Sequence, residues 1–249
     1  MVQKTIIILS VFMGIINGTT ISISVDEILD KVEANEESNT SKMVATQTQY
    51  KADGRENVSK IESYSMDKGE KSISIYTSPA RIKGMKILSL NDGDDIWFYS
   101  PRTSRVRKIA SHQKNQSADG SDFSYEDMSS KDTREDYNCT LSGEEERNGK
   151  KCYKIEAKAK KDNEIYPRKV YYIDKGNFVL HEGEFYDEEG KLWKRLFLRD
   201  YDKIDKYWTP KHMEMRNVHK GSKTVIKVET VEYDIAVDES MFSERYLRK

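Results

Sequence analysis

The chain has 249 residues, of which 42 are lysine or arginine and 43 are aspartate or glutamate, giving a net charge of −1. An aromatic content of 10% argues against a disordered chain despite this high charge. The balanced charge excludes the broad basic field that non-specific nucleic-acid binding requires. Only one stretch, near the start, is apolar for long enough to be considered as a membrane span, so a polytopic membrane protein is also excluded.

Residues 1–22 are predicted to be a secretory signal peptide. Lys4 precedes an apolar run that ends at Ile16, and small polar residues follow it. The run is shorter than the roughly 20 residues that a spanning helix needs, and the alternatives are an N-terminal anchor or a buried strand. Cleavage is predicted within residues 18–24. The mature chain, 23–249, is then expected to be a single domain in the periplasm.

The mature chain begins with a predicted amphipathic helix over residues 25–34, in which Val25, Ile28, Leu29 and Val32 share one face. Thirteen strand-like segments follow, many of them separated by glycine-containing turns: roughly 43–52, 57–67, 70–78, 82–90, 94–100, 104–110, 135–142, 150–158, 167–174, 178–187, 191–201, 207–217 and 222–235. Many short strands with few helices between them predict a mainly β protein, with an antiparallel sheet that curls on itself.

A sheet of thirteen strands has more strands than a small filled barrel needs. It could therefore leave a cavity or groove that a helix must cover. The polar, strand-poor stretch from Ala110 to Asp136 is predicted to be a lid, because long irregular segments in compact domains often have that role.

Cys139 and Cys152 are the only cysteines, and they flank a segment with turn residues at Gly143 and Asn148-Gly149. If residues 137–142 and 150–158 form a hairpin in which opposed positions sum to 291, the two cysteines face each other. Directly opposed residues are within disulfide range, so in an oxidising compartment a Cys139–Cys152 bridge is expected. The alternative is a pair of buried thiols.

Motifs for catalysis or metal binding are absent from the sequence. The four histidines have no metal-ligand spacing, and no nucleophile elbow, phosphate loop or dinucleotide fingerprint occurs. The acidic stretch from Asn91 to Asp95 is better explained as a turn than as a calcium loop, since Arg102 stands where an EF-hand needs glutamate. Ser124 and Asp127 resemble a capping box, although residues 121–127 also leave open a hydrolase site. No enzyme activity, cofactor or metal is expected.

Arg105 and Arg107 project from the same face of a predicted strand. The simpler interpretation is a solvated strand face. The alternative is that these two arginines contact an acidic partner surface or a lipid headgroup.

Several separated blocks together resemble the LolA-like outer-membrane lipoprotein-sorting family. The blocks cover most of the mature chain and lie at 78–88, 94–102, 105–109, 120–127, 168–174, 184–191, 208–213 and 242–247. The central ones read DDIWFYSPR, RVRKI and GSDFSYED. Ala118-Asp119 and Ser100 depart from the family's usual pattern, so the lid and the cavity rim are places where this chain could differ.

The resemblance implies an incomplete antiparallel β-barrel whose few helices cover an apolar interior, and a periplasmic carrier that binds the acyl chains of lipoproteins or other lipids. It also implies a monomer that could act with an inner-membrane exporter. The alternative is an envelope adaptor or sensor that acts with such an exporter or with a stress regulator. Nine residues are predicted to form the cavity wall or its lid: Trp97, Tyr99, Phe123, Ile73, Ile75, Met85, Ile87, Met213 and Met215.

Overall fold

The structure, a computed structural model, describes residues 23–117, 119–162 and 164–249, and the predicted signal peptide lies outside them. These residues contain helix α1 (Val25–Glu36) and two four-residue helices, α2 (Thr133–Asp136) and α3 (Glu244–Leu247). The strands are β1 (Thr40–Tyr50), β2 (Glu56–Met66), β3 (Lys71–Ser78), β4 (Lys86–Leu90), β5 (Asp95–Ser100), β6 (Arg105–Ile109), β7 (Tyr137–Arg147), β8 (Lys150–Ala159), β9 (Arg168–Asp174), β10 (Leu180–Tyr186), β11 (Leu192–Ile204), β12 (Tyr207–Asn217) and β13 (Ser222–Tyr233).

All thirteen strands form one antiparallel sheet in the order β6-β5-β4-β3-β2-β1-β13-β12-β11-β10-β9-β8-β7. Strands β1 to β6 form one meander and β7 to β13 form a second, and the pairing of β1 with β13 joins them in the middle. Within the described residues the sheet is not closed, because β6 and β7 stay at its two edges. The predicted fold class, a mainly β incomplete barrel, is confirmed, as is the number of strands.

Helix α1 starts with a capping box formed by Ser24 and Glu27. The Ser24 hydroxyl accepts a hydrogen bond from the Glu27 amide at 3.1 Å, and the Ser24 amide donates to the Glu27 carboxylate at 3.0 Å. Ile28 is fully buried, and it packs against Tyr153 and Ile155 of β8. The apolar face predicted from the helical spacing is therefore the face that docks on the sheet.

The strand register separates two faces of the sheet, because directly paired residues point to the same side. Leu196 pairs with Met215, Met215 with Thr224, and Thr224 with Gln49, so these four side chains share one face. This is the concave face, which is covered by α1 and by residues 110–136. We call residues 110–136 the strap.

The opposite, convex face of β3 to β6 is covered by the C-terminal segment, residues 234–249. The buried cluster between them contains Ile73, Leu88, Trp97, Phe242 and Leu247. Lys86 fixes the end of the chain, since its ammonium donates hydrogen bonds to the carbonyl oxygens of Tyr246 and Leu247, each at 3.2 Å. Burial lowers the pKa of Lys86.

The strap packs onto the concave face of the first meander. Tyr125 and Met128 contact an apolar cluster made of Ile61, Tyr76, Met85, Ile87, Ile96 and Ile109. Gly93 has a φ of +93°, and a Cβ atom there would lie 2.9 Å from the Ser129 Cα, so only glycine permits this close approach. The strap therefore packs its own side chains against this half of the sheet and leaves a smaller pocket of about 200 Å³ beside Gln49 and Met85.

Candidate functional site

A cavity of about 340 Å³ lies on the concave face of the second meander, between the sheet, α1 and the strap. Its apolar lining is Phe123, Tyr137, Tyr166, Tyr171, Leu180, Phe185, Leu196 and Met215. Its polar lining is Glu36, Glu126, Asp127, Ser129, Lys131, Asp132, Thr133, Asp136 and Lys169. The aromatic rings pack on one another, with ring centroids of Tyr166 and Phe185 5.0 Å apart. The cavity thus combines a largely aromatic wall with charged groups carried mostly by the strap.

A buried ion pair ties the strap to the cavity wall. The Asp127 carboxylate accepts hydrogen bonds from the Lys194 ammonium at 2.7 Å and the Tyr166 hydroxyl at 2.8 Å, and both charged side chains are at most 5% exposed. Ser124 completes the group, because its amide and hydroxyl also donate to Asp127, at 2.7 and 2.8 Å. Burial raises the pKa of Tyr166 well above its usual value. All of these groups are satisfied within the protein, so the network positions the strap.

Further polar contacts attach the strap to the two central strands. Asp119 accepts hydrogen bonds from the side-chain amides of Gln47 at 2.6 Å and Gln49 at 3.1 Å. Buried Asp122 accepts one from the Thr224 hydroxyl at 2.8 Å, and its amide donates back to that hydroxyl at 2.9 Å. The segment predicted as a lid is therefore bonded across the junction between β1 and β13.

Glu36, the last residue of α1, lines both this cavity and an adjoining one of about 380 Å³. Its side chain has a large accessible surface, yet burial raises the pKa of its carboxyl from 4.5 to about 7. The two observations agree if the accessible surface faces the cavities and not bulk solvent. Glu36 is thus an ionisable group in the lining of both cavities.

A larger groove of about 770 Å³ lies on another part of the surface. It is lined mainly by polar side chains, including the acidic residues Glu164, Asp187, Glu188 and Glu189. Only Ile165 and Trp193 of its lining are apolar, so it offers a hydrocarbon chain far less contact than the aromatic wall of the 340 Å³ cavity does, and size alone does not make this groove the candidate site.

Two of the nine predicted wall residues, Phe123 and Met215, line the 340 Å³ cavity. Met213 lies on the same concave face, opposite Leu198 and Ile226 in the register. Met85 and Ile87 also face this side, but they pack in the cluster beneath the strap, where Met85 lines a separate pocket of about 200 Å³.

The other four predicted wall residues lie on the convex face. Ile73 and Trp97 are buried under the C-terminal segment, and Ile75 and Tyr99 pack against the same cluster. The structure does not bring them to the cavity. The sequence did not show that the C-terminal segment would cover their face of the sheet.

Arg105 and Arg107 are exposed on the edge strand β6. The Arg107 guanidinium lies 5.1 Å from the centroid of the Phe98 ring and donates a hydrogen bond to the Tyr125 hydroxyl at 3.5 Å. Both arginines therefore stand at the free edge of the first meander, next to the strap.

The predicted Cys139–Cys152 disulfide is wrong in this structure, in which both thiols are free. Strand β7 continues to Arg147, and the turn is the two-residue Asn148-Gly149, with φ of 50° and 76°, instead of starting at Gly143. This register places Cys139 opposite Ala157 and Cys152 opposite Glu145.

The two cysteines consequently pack on opposite faces of the sheet. Cys139 joins the cluster beneath α1, whereas Cys152 packs with Val170 and Tyr172. Burial raises the pKa of both thiols, that of Cys152 to about 11.

The capping interpretation of Ser124 and Asp127 is supported by their reciprocal hydrogen bonds, since the Asp127 amide also donates to the Ser124 hydroxyl at 3.4 Å. The side chains of Ser121 and Ser124 bond to Phe123, Asp127 and Tyr166. The histidine that the hydrolase hypothesis requires is not among these partners.

In the described ranges no group of three or more acidic, histidine or cysteine side chains could hold a metal ion.

Several lining residues were not singled out from the sequence. Tyr171, Phe185 and Leu196 lie on the concave face of predicted strands, so their alternation could have identified them once the covered face was known. Glu36 ends α1 two residues beyond the predicted helix, and Tyr166 lies outside the helices and strands, so periodicity gave no signal for either. They were therefore missed.

Comparisons with known structures define the class of protein that has this open sheet and covered concave face. A putative outer-membrane lipoprotein-sorting protein domain from Vibrio parahaemolyticus is 26% identical, with a TM-score of 0.83 over 90% of this chain and 97% of its own. A DUF1329 family protein from Desulfovibrio piger is 28% identical, with a TM-score of 0.82 over 89% of this chain and 96% of its own. A LolA superfamily protein from Nitrosomonas europaea is 19% identical, with a TM-score of 0.75 over 90% of this chain and 100% of its own, and shows the same fold.

The resemblance to LolA-like outer-membrane lipoprotein-sorting proteins is thereby confirmed. A family model described as "uncharacterized protein" matches residues 68–249, and the chain belongs to that family. No curated protein gives a significant match. Among the described residues, no helix combines the length and the apolar character needed to cross a membrane.

Proposed function

We propose that this protein is a non-enzymatic carrier, exported to the periplasm, that binds the acyl chain of a lipoprotein or another lipid in the 340 Å³ cavity. The observation that carries the proposal is the space left on the concave face of the second meander, beneath the strap and α1. The similarity to a lipoprotein-sorting domain over nearly its whole length supports the same function.

The cavity has the properties that hydrocarbon binding requires. Its volume falls within the range of roughly 300–1,000 Å³ that is usual for small-molecule sites. Burial of each methylene group contributes about 0.8 kcal/mol, so several methylenes give useful affinity without a catalytic group. Met215 adds a flexible, polarisable side chain that adapts to ligands of different shape.

Binding of a fluorescent fatty-acid probe to the mature protein tests the proposal. Met215→Glu places a charge in the wall and should abolish binding. Met215→Trp should weaken binding by filling the space without burying a charge. Met213→Glu tests how far the binding surface extends along the concave face. Val218→Glu is the matched control, because Val218 is 53% exposed and should tolerate the same change.

Far-UV circular dichroism establishes that each variant is folded. Probe binding that survives in folded Met215→Glu and Met215→Trp proteins contradicts the assignment of this cavity. Mass spectrometry of lipids that co-purify with the mature protein would then identify the natural cargo.

The alternative, an envelope adaptor that acts with an inner-membrane exporter or a stress regulator, is favoured by one feature. The strap packs on the concave face of the first meander and leaves a pocket of only about 200 Å³ there, so this half offers less space for cargo. Arg105 and Arg107 would then form the contact with an acidic partner. The two functions differ in lipid content: an adaptor would purify without lipid and would not bind the probe.

A further inference from the structure

Lys169 places a positive charge inside the cavity. It lies on β9, paired with Ala157 on β8 and Phe185 on β10, and its side chain is part of the cavity lining. Its ammonium lies 3.9 Å from the centroid of the Tyr137 ring and 5.8 Å from that of Tyr166. Rings at these distances stabilise a cation without neutralising its charge.

The other cations in the cavity lining and its surroundings have carboxylate partners. Lys194 pairs with Asp127 at 2.7 Å, and Lys131 pairs with Asp94 at 2.8 Å. Among the described residues, no carboxylate lies within 4.0 Å of the Lys169 ammonium. Because an enclosed charge is costly unless it is paired, this cation is the group in the cavity with the most to gain from an anionic ligand.

Lys169 nevertheless stays charged. Burial disfavours the ammonium form, but interactions with Tyr171, Tyr137 and Glu126 outweigh it and raise the pKa of Lys169 above its usual value. Burial also raises the pKa of the Glu126 carboxyl, which disfavours its charged form.

The remaining acidic groups of the cavity lining should not strongly repel an anionic ligand, because their negative charges are paired or weakened. Asp132 is paired with Arg134 at 2.7 Å, and Asp136 lies 3.9 Å from Lys131. Burial raises the pKa of the Glu36 carboxyl to about 7, which disfavours its charged form.

The apolar wall begins next to Lys169. Leu196 and Met215 are paired with each other, and the register connects them through Gly183 to Tyr171, two residues from Lys169 on the same strand. Two residues along a strand span about 7 Å, roughly the separation between a headgroup and the first few methylenes of its chain. The cation and the apolar wall therefore follow one another in the same order as the headgroup and the alkyl chain of an amphiphile.

We propose that the cargo is an amphiphile with an anionic headgroup, a carboxylate or a phosphate, which pairs with Lys169 while its chain lies along Phe185, Leu196 and Met215. This inference rests on the proposed function, because it assigns the headgroup chemistry of the same cavity.

The test compares three ligands with the same alkyl chain: a fatty acid, a monoalkyl phosphate and the fatty-acid methyl ester, each measured by displacement of a fluorescent probe. Wild-type protein should bind at least one anionic ligand about tenfold more tightly than the ester, as one charge-assisted hydrogen bond allows. The anionic ligand whose affinity exceeds that of the ester by the larger factor identifies the headgroup. Lys169→Met should remove this gain and leave ester affinity unchanged, whereas Lys169→Arg should retain most of it.

Lys151→Met is the matched control, because Lys151 is exposed on β8 and lies outside the cavity lining. The inference would be overturned if wild-type protein bound all three ligands with equal affinity. It would also be overturned if Lys169→Met weakened acid and ester binding equally. Either outcome would leave the carrier function intact. Failure of the ester and both anions to bind wild-type protein would refute the carrier function itself.

Discussion

The buried ion pair between Lys194 and Asp127 should make a large contribution to how the strap is held. Both side chains are almost completely buried, and their charged atoms are 2.7 Å apart. Removing one partner of such a pair leaves an uncompensated charge and typically costs about 3–5 kcal/mol. We expect Lys194→Met to fall near the lower end, because Tyr166 and Ser124 still donate hydrogen bonds to the remaining carboxylate.

Asp127→Asn should cost more, about 4 kcal/mol, because it leaves the Lys194 ammonium without an anion. The double variant Lys194→Met/Asp127→Asn buries no charge. We expect it to cost about 4 kcal/mol in total, which corresponds to a coupling energy of about 3 kcal/mol between the two sites. Lys191→Met is the control, since its ion pair with Glu189 is exposed and should contribute less than about 1 kcal/mol.

Urea unfolding of the four variants and the wild type, followed by circular dichroism, gives these free energies. Limited proteolysis provides a second measurement, because loss of the pair should increase cleavage within the strap in the single variants. Additive single effects, with coupling below about 0.5 kcal/mol, would refute the reasoning, because a desolvated ion pair cannot be additive.

Three further predictions concern other parts of the molecule. The pKa of Glu36 is higher in the folded protein than its usual 4.5, so the native state keeps this proton longer and stability should fall as pH rises from about 4.5 to about 7. Glu36→Gln should remove about 1 kcal/mol of this fall, a small value because the side chain is accessible to solvent in the cavities. Urea unfolding that gives the same pH dependence of the unfolding free energy for the variant and the wild type would contradict this prediction. Leu247→Ala should lower the free energy of unfolding by about 3 kcal/mol and expose Trp97, which a red shift of its fluorescence would report. A loss of unfolding free energy below about 1 kcal/mol would show that the C-terminal segment is not packed as described. Cys139 and Cys152 should both react with a thiol reagent in the denatured, unreduced protein, and consumption of fewer than two equivalents would indicate a disulfide.

The sequence predicted the architecture better than it predicted the site, and the reason lies in what each depends on. Strand alternation, turn residues and helical spacing are local signals, so they predicted the thirteen strands and the docking face of α1. Which face of the sheet encloses space depends on long-range packing. Trp97 and Tyr99 were predicted to line the cavity on the strength of the family resemblance, and only the position of the C-terminal segment shows that their face of β5 is covered.

The register of the hairpin formed by β7 and β8 illustrates the same limit. Gly143 and Asn148-Gly149 both offered turn chemistry, and the choice between them decides the partners of Cys139 and Cys152. The structure uses Asn148-Gly149 for the turn, while Gly143 lies at a register shift inside β7. A shift of a few residues was enough to separate two cysteines that the predicted pairing had placed together.

The pairing of β1 with β13 has a consequence for how the chain reaches its final form. Each meander consists of hairpins between consecutive strands, which require only short loops to close. The seam between the meanders instead joins Ser41 to Tyr233, almost two hundred positions apart along the polypeptide. Assembly can thus proceed in two local units, but the strap can bond to Gln47 of β1 and Thr224 of β13 together only after these two strands have paired.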